Sequence, residues 1–324
     1  MILHNQSCFP PSTFVLLGLP GLEPFHAWFS VPFFLMFLFA VVGNLSVLHI
    51  IQSEASLHQP MYIFLSVLSI VDLILANSTL PKLLSIFWFE SNDIHYRVCL
   101  FQMFLVHAFS AIESGIFVVM ALDRYVAICN PLRYSSILTT EVLIGSSTVA
   151  VLRGVVYILP LPLLAGRLSQ YKSNTILHSY CEHMAVVGLS CQDVSLNDHA
   201  GIAVGFLVLI MDCVVIVLSY IKILRSLQRL NVATQLKSLA TCTSHVCVIV
   251  AFYVPILTSS LVHRFGKNVS HHTHILLADL YLLGPPMLNP LVYGIRTKQI
   301  REKVTKQLNN KGVSFCLRKK TTTK

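Results

Sequence analysis

Seven apolar stretches, roughly residues 27–51, 60–85, 98–128, 142–164, 199–222, 237–262 and 274–296, take up most of this 324-residue chain. Each is long enough to cross a bilayer core as a helix, which needs ~20 mostly apolar residues. Only 11% of the residues are charged and 55% are hydrophobic, whereas a soluble domain carries about a quarter charged residues. No separate soluble domain fits. The expected fold is all-α: one domain, a seven-transmembrane helix bundle, between an N-terminal segment 1–26 and a basic tail 297–324. Residues 1–26 lack a basic run followed by an apolar core, so they do not read as a cleaved signal peptide. The first span is then expected to direct insertion.

Lysine and arginine in the short loops set the orientation. Segment 1–26 has none, whereas Arg225, Arg229 and Lys237 lie between spans five and six. The C-terminal end carries Arg296, Lys298, Arg301, Lys303, Lys306, Lys311, Arg318, Lys319, Lys320 and Lys324. This bias predicts the N-terminus outside and the C-terminus in the cytoplasm. The net charge of +9 is then largely a tail charge, and nucleic acid is not implied. Ile300, Val304 and Leu308 make one stripe in the tail, which suits a short amphipathic interfacial helix on an anionic lipid leaflet.

On this orientation Cys8, Cys99, Cys181 and Cys191 face the oxidising side, where disulfides persist. The sequon Asn5-Gln6-Ser7 is exposed and reads as the glycan acceptor. Asn44-Leu45-Ser46 and Asn77-Ser78-Thr79 fit the pattern but lie inside spans, out of reach of glycosylation.

Ionisable groups at membrane depth are costly and mark functional candidates. Counted by helical rise from the cytoplasmic ends, Asp72 lies ~18 Å in, Glu113 and Arg153 ~16 Å, and Asp212 ~15 Å. Matching depth and opposite charge predict a Glu113–Arg153 pair across spans three and four. Asn44 joins this polar layer from span one.

Span three ends MALDRYVAICNPLRY, with the acid–base pair Asp123-Arg124 ahead of Tyr125. Such a pair can break and re-form as helices shift. In LNPLVYG, residues 288–294, Asn289 and Pro290 interrupt span seven, and Pro290 cannot donate its i→i−4 bond. With Gly43-Asn44 and Asp72, the chain resembles a rhodopsin-like G-protein-coupled receptor. Longer strings narrow this: LHQPMYIFLSVLSIVDL (57–73), KSLATCTSHVCVIVAFYVP (237–255) and PPMLNPLVYGIRTKQIR (285–301) resemble olfactory receptor blocks. GLPGLEPFHAWFSVPF (18–33), SYCEHMAVV (179–187) and HRFG (263–266) are most similar to family 52 of the class I, fish-like branch. The resemblance covers nearly the whole chain.

It implies a plasma-membrane receptor of sensory cilia that binds a small-molecule odorant. It also implies activation of the stimulatory olfactory heterotrimeric G protein, a rise in cyclic AMP, and trafficking helper proteins as partners. Asp123, Arg124 and Tyr125 would gate the cytoplasmic end, with Tyr220, Thr243, Ser244 and His245 on the moving faces of spans five and six. Asn289, Pro290 and Tyr293 would belong to the span-seven switch. Cys99–Cys181 would be the usual bridge. One departure stands out: Tyr171 occupies a position where class I chains often carry a cysteine that pairs with the one matching Cys191. This leaves two readings for Cys191, a free thiol or a bond to Cys8.

At the outer end of span six Arg264 either snorkels or holds a ligand. Ser260, one turn below, shares its face, and His107 lies about two turns into span three. Gly201 and Gly205 leave space beside them, and Met103, Phe104, Ile256 and Leu257 are candidate tail contacts. A guanidinium fork binds carboxylates bidentately, so the expected ligand is a small carboxylic acid with an apolar tail. His271, His272 and His274 lack a completing cysteine or carboxylate, so no metal is expected and they read as a polar loop.

Rival classes fit less well. Transporters tend to show inverted repeats, and none is visible. A retinal protein needs a span-seven lysine, and 274–296 has none; no cofactor is expected. No nucleophile–base or HExxH pattern suggests an enzyme. A same-fold receptor for a non-odorant metabolite, expressed outside the nose, would use the same chemistry.

Overall fold

The computed structural model describes residues 8–265, 271–296 and 301–303. Seven of its helices are long and apolar enough to cross a membrane. They are α1 (His26–Ser53), α2 (Pro60–Phe89), α3 (Tyr96–Cys129), α4 (Thr140–Ala165) and α5 (Ser195–Leu227), α6 (Val232–Phe265) and α7 (His271–Arg296). Local chemistry sets their ends. Pro60 starts α2 at a position whose N–H would be unsatisfied anyway. The Thr139 hydroxyl caps α4 by accepting from the Val142 N–H at 3.4 Å. Glu90, at φ 50°, closes α2 in the left-handed region.

α3 is the central post, packed against α2, α4 and α5, while α1 leans on α2 and α7, and α6 on α7. Glycine permits the closest approaches. A Cβ on Gly154 of α4 would lie 2.5 Å from Ile112 of α3, and one on Gly43 of α1 would lie 2.8 Å from Pro290 of α7. Outward faces are apolar instead: Val149, Leu152 and Val156 on α4, and Phe206, Val214 and Val217 on α5, are all exposed. A continuous apolar surface of this kind needs lipid against it.

At one end of the bundle a small sheet orders β2 (Asp93–His95), β1 (Thr13–Leu16) and β3 (Thr175–Ile176), with β1 central. β1 runs antiparallel to β2 and parallel to β3. Its period-2 pattern buries Phe14 and Leu16 completely. The N-terminal segment, expected from sequence only as an outer extension, is therefore woven into the fold. Cys99–Cys181 and Cys8–Cys191 are both bonded, which resolves Cys191 in favour of Cys8. Backbone bonds between Phe9 and Tyr171 run beside the second bridge, so Tyr171 occupies the seam that the missing cysteine would have closed.

The three histidines at the head of α7 do not form a loop: helix α7 begins at His271, and His272 and His274 lie in its first turn. Beyond α7, Lys303 Nζ meets Glu54 Oε2 at 2.6 Å. The expected interfacial stripe (Ile300, Val304, Leu308) and Asn5 fall outside the described residues.

Candidate functional site

Midway along the bundle, seven polar residues form two separate clusters. In the first, the Asn289 Nδ2 of α7 donates to both Asp72 oxygens at 3.1 Å and to Glu113 Oε1 at 3.2 Å. In the second, Arg153 of α4 grips Asp212 of α5, with Nη1–Oδ1 at 2.5 Å and Nη2–Oδ2 at 2.7 Å. Ser114 donates to Asp212 Oδ2 at 2.6 Å and meets the Tyr253 hydroxyl at 2.6 Å.

The Glu113–Arg153 pair expected from depth is thus not formed. Arg153 faces Ala111, whose carbonyl lies 3.5 Å from Nη2, and Gly115, where a Cβ would lie 3.0 Å from the same atom. Glu113 is two residues from each, ~200° around the helix, and so turns away toward α2 and α7. A π-turn at Phe206–Ile210 immediately precedes Met211–Leu227. Such an extra residue in the turn re-aims the next helical segment, and here Asp212 ends up buried inside the bundle.

At the end remote from the sheet, the Arg124 guanidinium folds back on its neighbour Asp123, with Nε 2.8 Å from Oδ2. The Tyr134 hydroxyl donates to the other Asp123 oxygen at 2.8 Å. Lys222 lies 5.5 Å over the Tyr125 ring. The Tyr220 hydroxyl and His245 Nδ1 are 2.6 Å apart, joining α5 to α6. Tyr293 is fully buried, and its hydroxyl has no hydrogen-bond partner.

At the sheet end a cavity of about 600 Å³ opens between α3, α5, α6, α7 and the loop after α4. His107, Gly201, Gly205 and Ile256 line it as the sequence suggested. Nothing lies within 4 Å of a Cβ built on Gly205, so that glycine faces open space. Met103 and Leu257 belong instead to the main apolar core, and Phe104 packs with Ala108 and Ile158. Gln102 explains Met103: its Oε1 accepts from the Cys181 N–H at 3.1 Å, so the loop seals this turn of α3. Leu257 sits ~100° around the helix from Ile256. Ser260 and Arg264 belong to α6, but their side chains lie outside the described residues.

The loop residues were missed from sequence. Cys99–Cys181 fixes the loop to α3. Ser179 donates to Asp279, and the Tyr180 and Tyr281 hydroxyls meet at 3.3 Å, fixing it to α7. His178, Tyr180, Glu182 and His183 consequently roof the cavity, with Asp198 of α5 and His274 of α7 beside them. The signal was present in SYCEHM: a residue bonded to Cys99 must bring its followers over the bundle mouth, near His107.

Burial pushes the Glu182 carboxyl up, but His178, His107 and the N–H groups of Ala185 and Met184 outweigh it and hold Glu182 below the usual range. Burial also holds His183 below the usual imidazole value, against the opposing pull of Glu182. The roof therefore presents a carboxylate beside a neutral imidazole.

The family model described as "Olfactory receptor" matches residues 33–311. Olfactory receptor 52R1 of Homo sapiens is 50% identical over 305 residues, 94% of this chain and 97% of that receptor. Olfactory receptor 52J3 of Homo sapiens is 48% identical over 306 residues, covering 94% and 98%. Olfactory receptor 51E2 of Rattus norvegicus is 46% identical over 301 residues, covering 92% and 94%. With seven helices able to cross a membrane, the chain belongs to the olfactory receptor family, multi-pass odorant receptors coupled to G proteins and not enzymes.

Proposed function

We propose that this receptor binds a small carboxylic acid in the sheet-end cavity and raises cyclic AMP through the stimulatory olfactory G protein. The observation that supports this reading is the cavity. Its volume of about 600 Å³ falls within the usual 300–1,000 Å³ of ligand sites, and its lining combines His107 with apolar residues such as Ile256 and Val208. The acid head sits on Arg264, whose fork suits a carboxylate, with Ser260 and His107 adding hydrogen bonds and Ile256 meeting the tail. The loop-charge bias puts the cavity outside and Arg124 in the cytoplasm. The working site is the plasma membrane of sensory cilia, reached with trafficking helpers.

Signal transfer follows from what the cavity touches. A ligand against Ile256 and Ser259 of α6 and Tyr281 of α7 biases the position of two helices that pack on each other. Displacement of α6 loosens the Tyr220–His245 contact, and rearrangement around Asn289 and Pro290 lets Arg124 leave Asp123 for the G protein. The differential contact with α6 is what makes the ligand an agonist.

Cells expressing the receptor should be challenged with straight-chain acids beside matched alcohols, aldehydes and methyl esters, with surface-matched Arg264→Ala and Arg264→Lys in parallel. Acids activating the wild type but not Arg264→Ala support the reading. Esters acting as strongly as acids, or a normal Arg264→Ala response, overturn it.

A further inference from the structure

The acid reading assigns no role to the loop wall of the cavity. A short alkyl acid fills only part of about 600 Å³, a space some twenty times the ~30 Å³ share of one liquid water. That wall carries a polar patch among apolar residues such as Leu177, Met184 and Leu189. Glu182, His183 and Asp198 line it, and among the described lining residues there is no lysine or arginine.

His183 supplies the observation that points to a ligand. It is 3% exposed, yet its Nε2 has no hydrogen-bond partner. His107 Nε2, on the same cavity, is also unpartnered. Buried polar atoms are nearly always paired, so each exception needs a reason. Both histidines line one cavity with the Glu182 carboxylate. The neighbouring elements hold this wall in place. Glu182 Oε2 caps the short helix His183–Val187 by accepting from the Ala185 N–H at 2.6 Å. The His183 ring comes within 3.5 Å of where a Gly201 Cβ would stand, so only a small residue there admits it. Asp198 lies one turn from Gly201 on the same helix face.

We infer that Glu182, His183 and Asp198 form a second polar subsite that receives a hydrogen-bond donor, a hydroxyl or an ammonium, carried on the tail of the ligand. The preferred ligands are then hydroxylated or aminated acids, not plain alkyl acids. This rests on the reading of the cavity as the ligand site. Ionised carboxylates accept and never donate, so a second acid group at the same place is repelled. The low-lying titration of Glu182 agrees with that sign.

The test compares plain, ω-hydroxy, ω-amino and dicarboxylic acids of equal chain length, with matched alcohols and amines, by cyclic AMP response. The receptors are wild type, Glu182→Gln, Asp198→Asn and Arg264→Ala, each labelled at the cell surface. Glu182→Gln keeps the oxygen that caps the short helix, so folding is preserved. At least one donor-bearing acid should act at about tenfold lower concentration than the plain acid, the scale of one hydrogen bond to a charged group. The dicarboxylic acid should be weaker than both. Glu182→Gln should erase the donor's advantage and leave the plain acid unchanged. Equal potency of plain and donor-bearing acids on the wild type, or equal weakening of both by Glu182→Gln, overturns the subsite. Silence of every donor-bearing probe on a surface-verified receptor overturns it as well. Amines or alcohols that act without an acid group, and lose potency in Glu182→Gln but not in Arg264→Ala, support the subsite while refuting the acid anchor.

Discussion

Asn44 of α1 donates its side-chain amide to the Pro286 carbonyl of α7 at 2.9 Å. That carbonyl would ordinarily accept the N–H of residue 290, and Pro290 has none. The proline that interrupts α7 thus creates the acceptor that ties α7 to α1, and Gly43 lets the two helices come close enough.

Asn44→Ala should therefore destabilise the receptor by about 1–3 kcal/mol, because it leaves a buried acceptor unpaired. In a Pro290→Ala background the cost should fall close to zero, since the restored N–H takes over. Thermal denaturation of the detergent-solubilised variants measures this coupling; equal costs in both backgrounds would refute it.

Arg153 and Asp212 make the ion pair that sequence depth assigned to Glu113. Arg153→Met or Asp212→Asn alone should cost about 3–5 kcal/mol by stranding one buried charge, whereas an apolar double replacement recovers much of it. The same thermal assay should show Glu113→Gln and Arg153→Met adding independently. A strong coupling between those two would restore the rejected pairing.

Cys8–Cys191 ties the N-terminal segment to the loop that roofs the cavity. Cys8→Ser and Cys191→Ser should each lower stability by about 2–4 kcal/mol and open the segment before β1 to limited proteolysis. The double variant should be no worse than either single one. Additive losses would show that the thiols act separately.

Acidification should weaken the roof. His183 titrates below the usual imidazole value when folded, so the unfolded chain takes up its proton first and stability falls as pH drops through about 6.5. Glu182, also lowered, adds a loss only at more acidic pH, as its folded form is finally protonated. His183→Gln should reduce the first of these losses; an unchanged profile between pH 7.5 and 5.5 would assign it elsewhere.

The spans, the polar layer and part of the cavity were legible because lipid makes apolar runs obligatory and makes buried charge conspicuous. Depth along a helix follows from counting, but azimuth does not, so depth alone pairs Glu113 with Arg153, whereas Ala111 and Gly115 are the α3 residues that face it. The sheet was unreadable for another reason. β1, β2 and β3 are two to four residues long and pair across distant parts of the chain, so each carries too little pattern to announce itself. The Cys99–Cys181 bridge signals where the loop lies, but not that Glu182 and His183 line the cavity beneath it.

On the proposed function, the ligand occupies the cavity beside Gly205. The most direct measurement is the cyclic AMP response of Gly205→Leu, matched to wild type at the surface, to whichever acid activates the wild type. Gly205 faces open space, so the added side chain should fill the cavity without disturbing the fold. Potency should fall at least tenfold, about 1.4 kcal/mol or more, with basal signalling retained. An unchanged dose–response would place the ligand elsewhere.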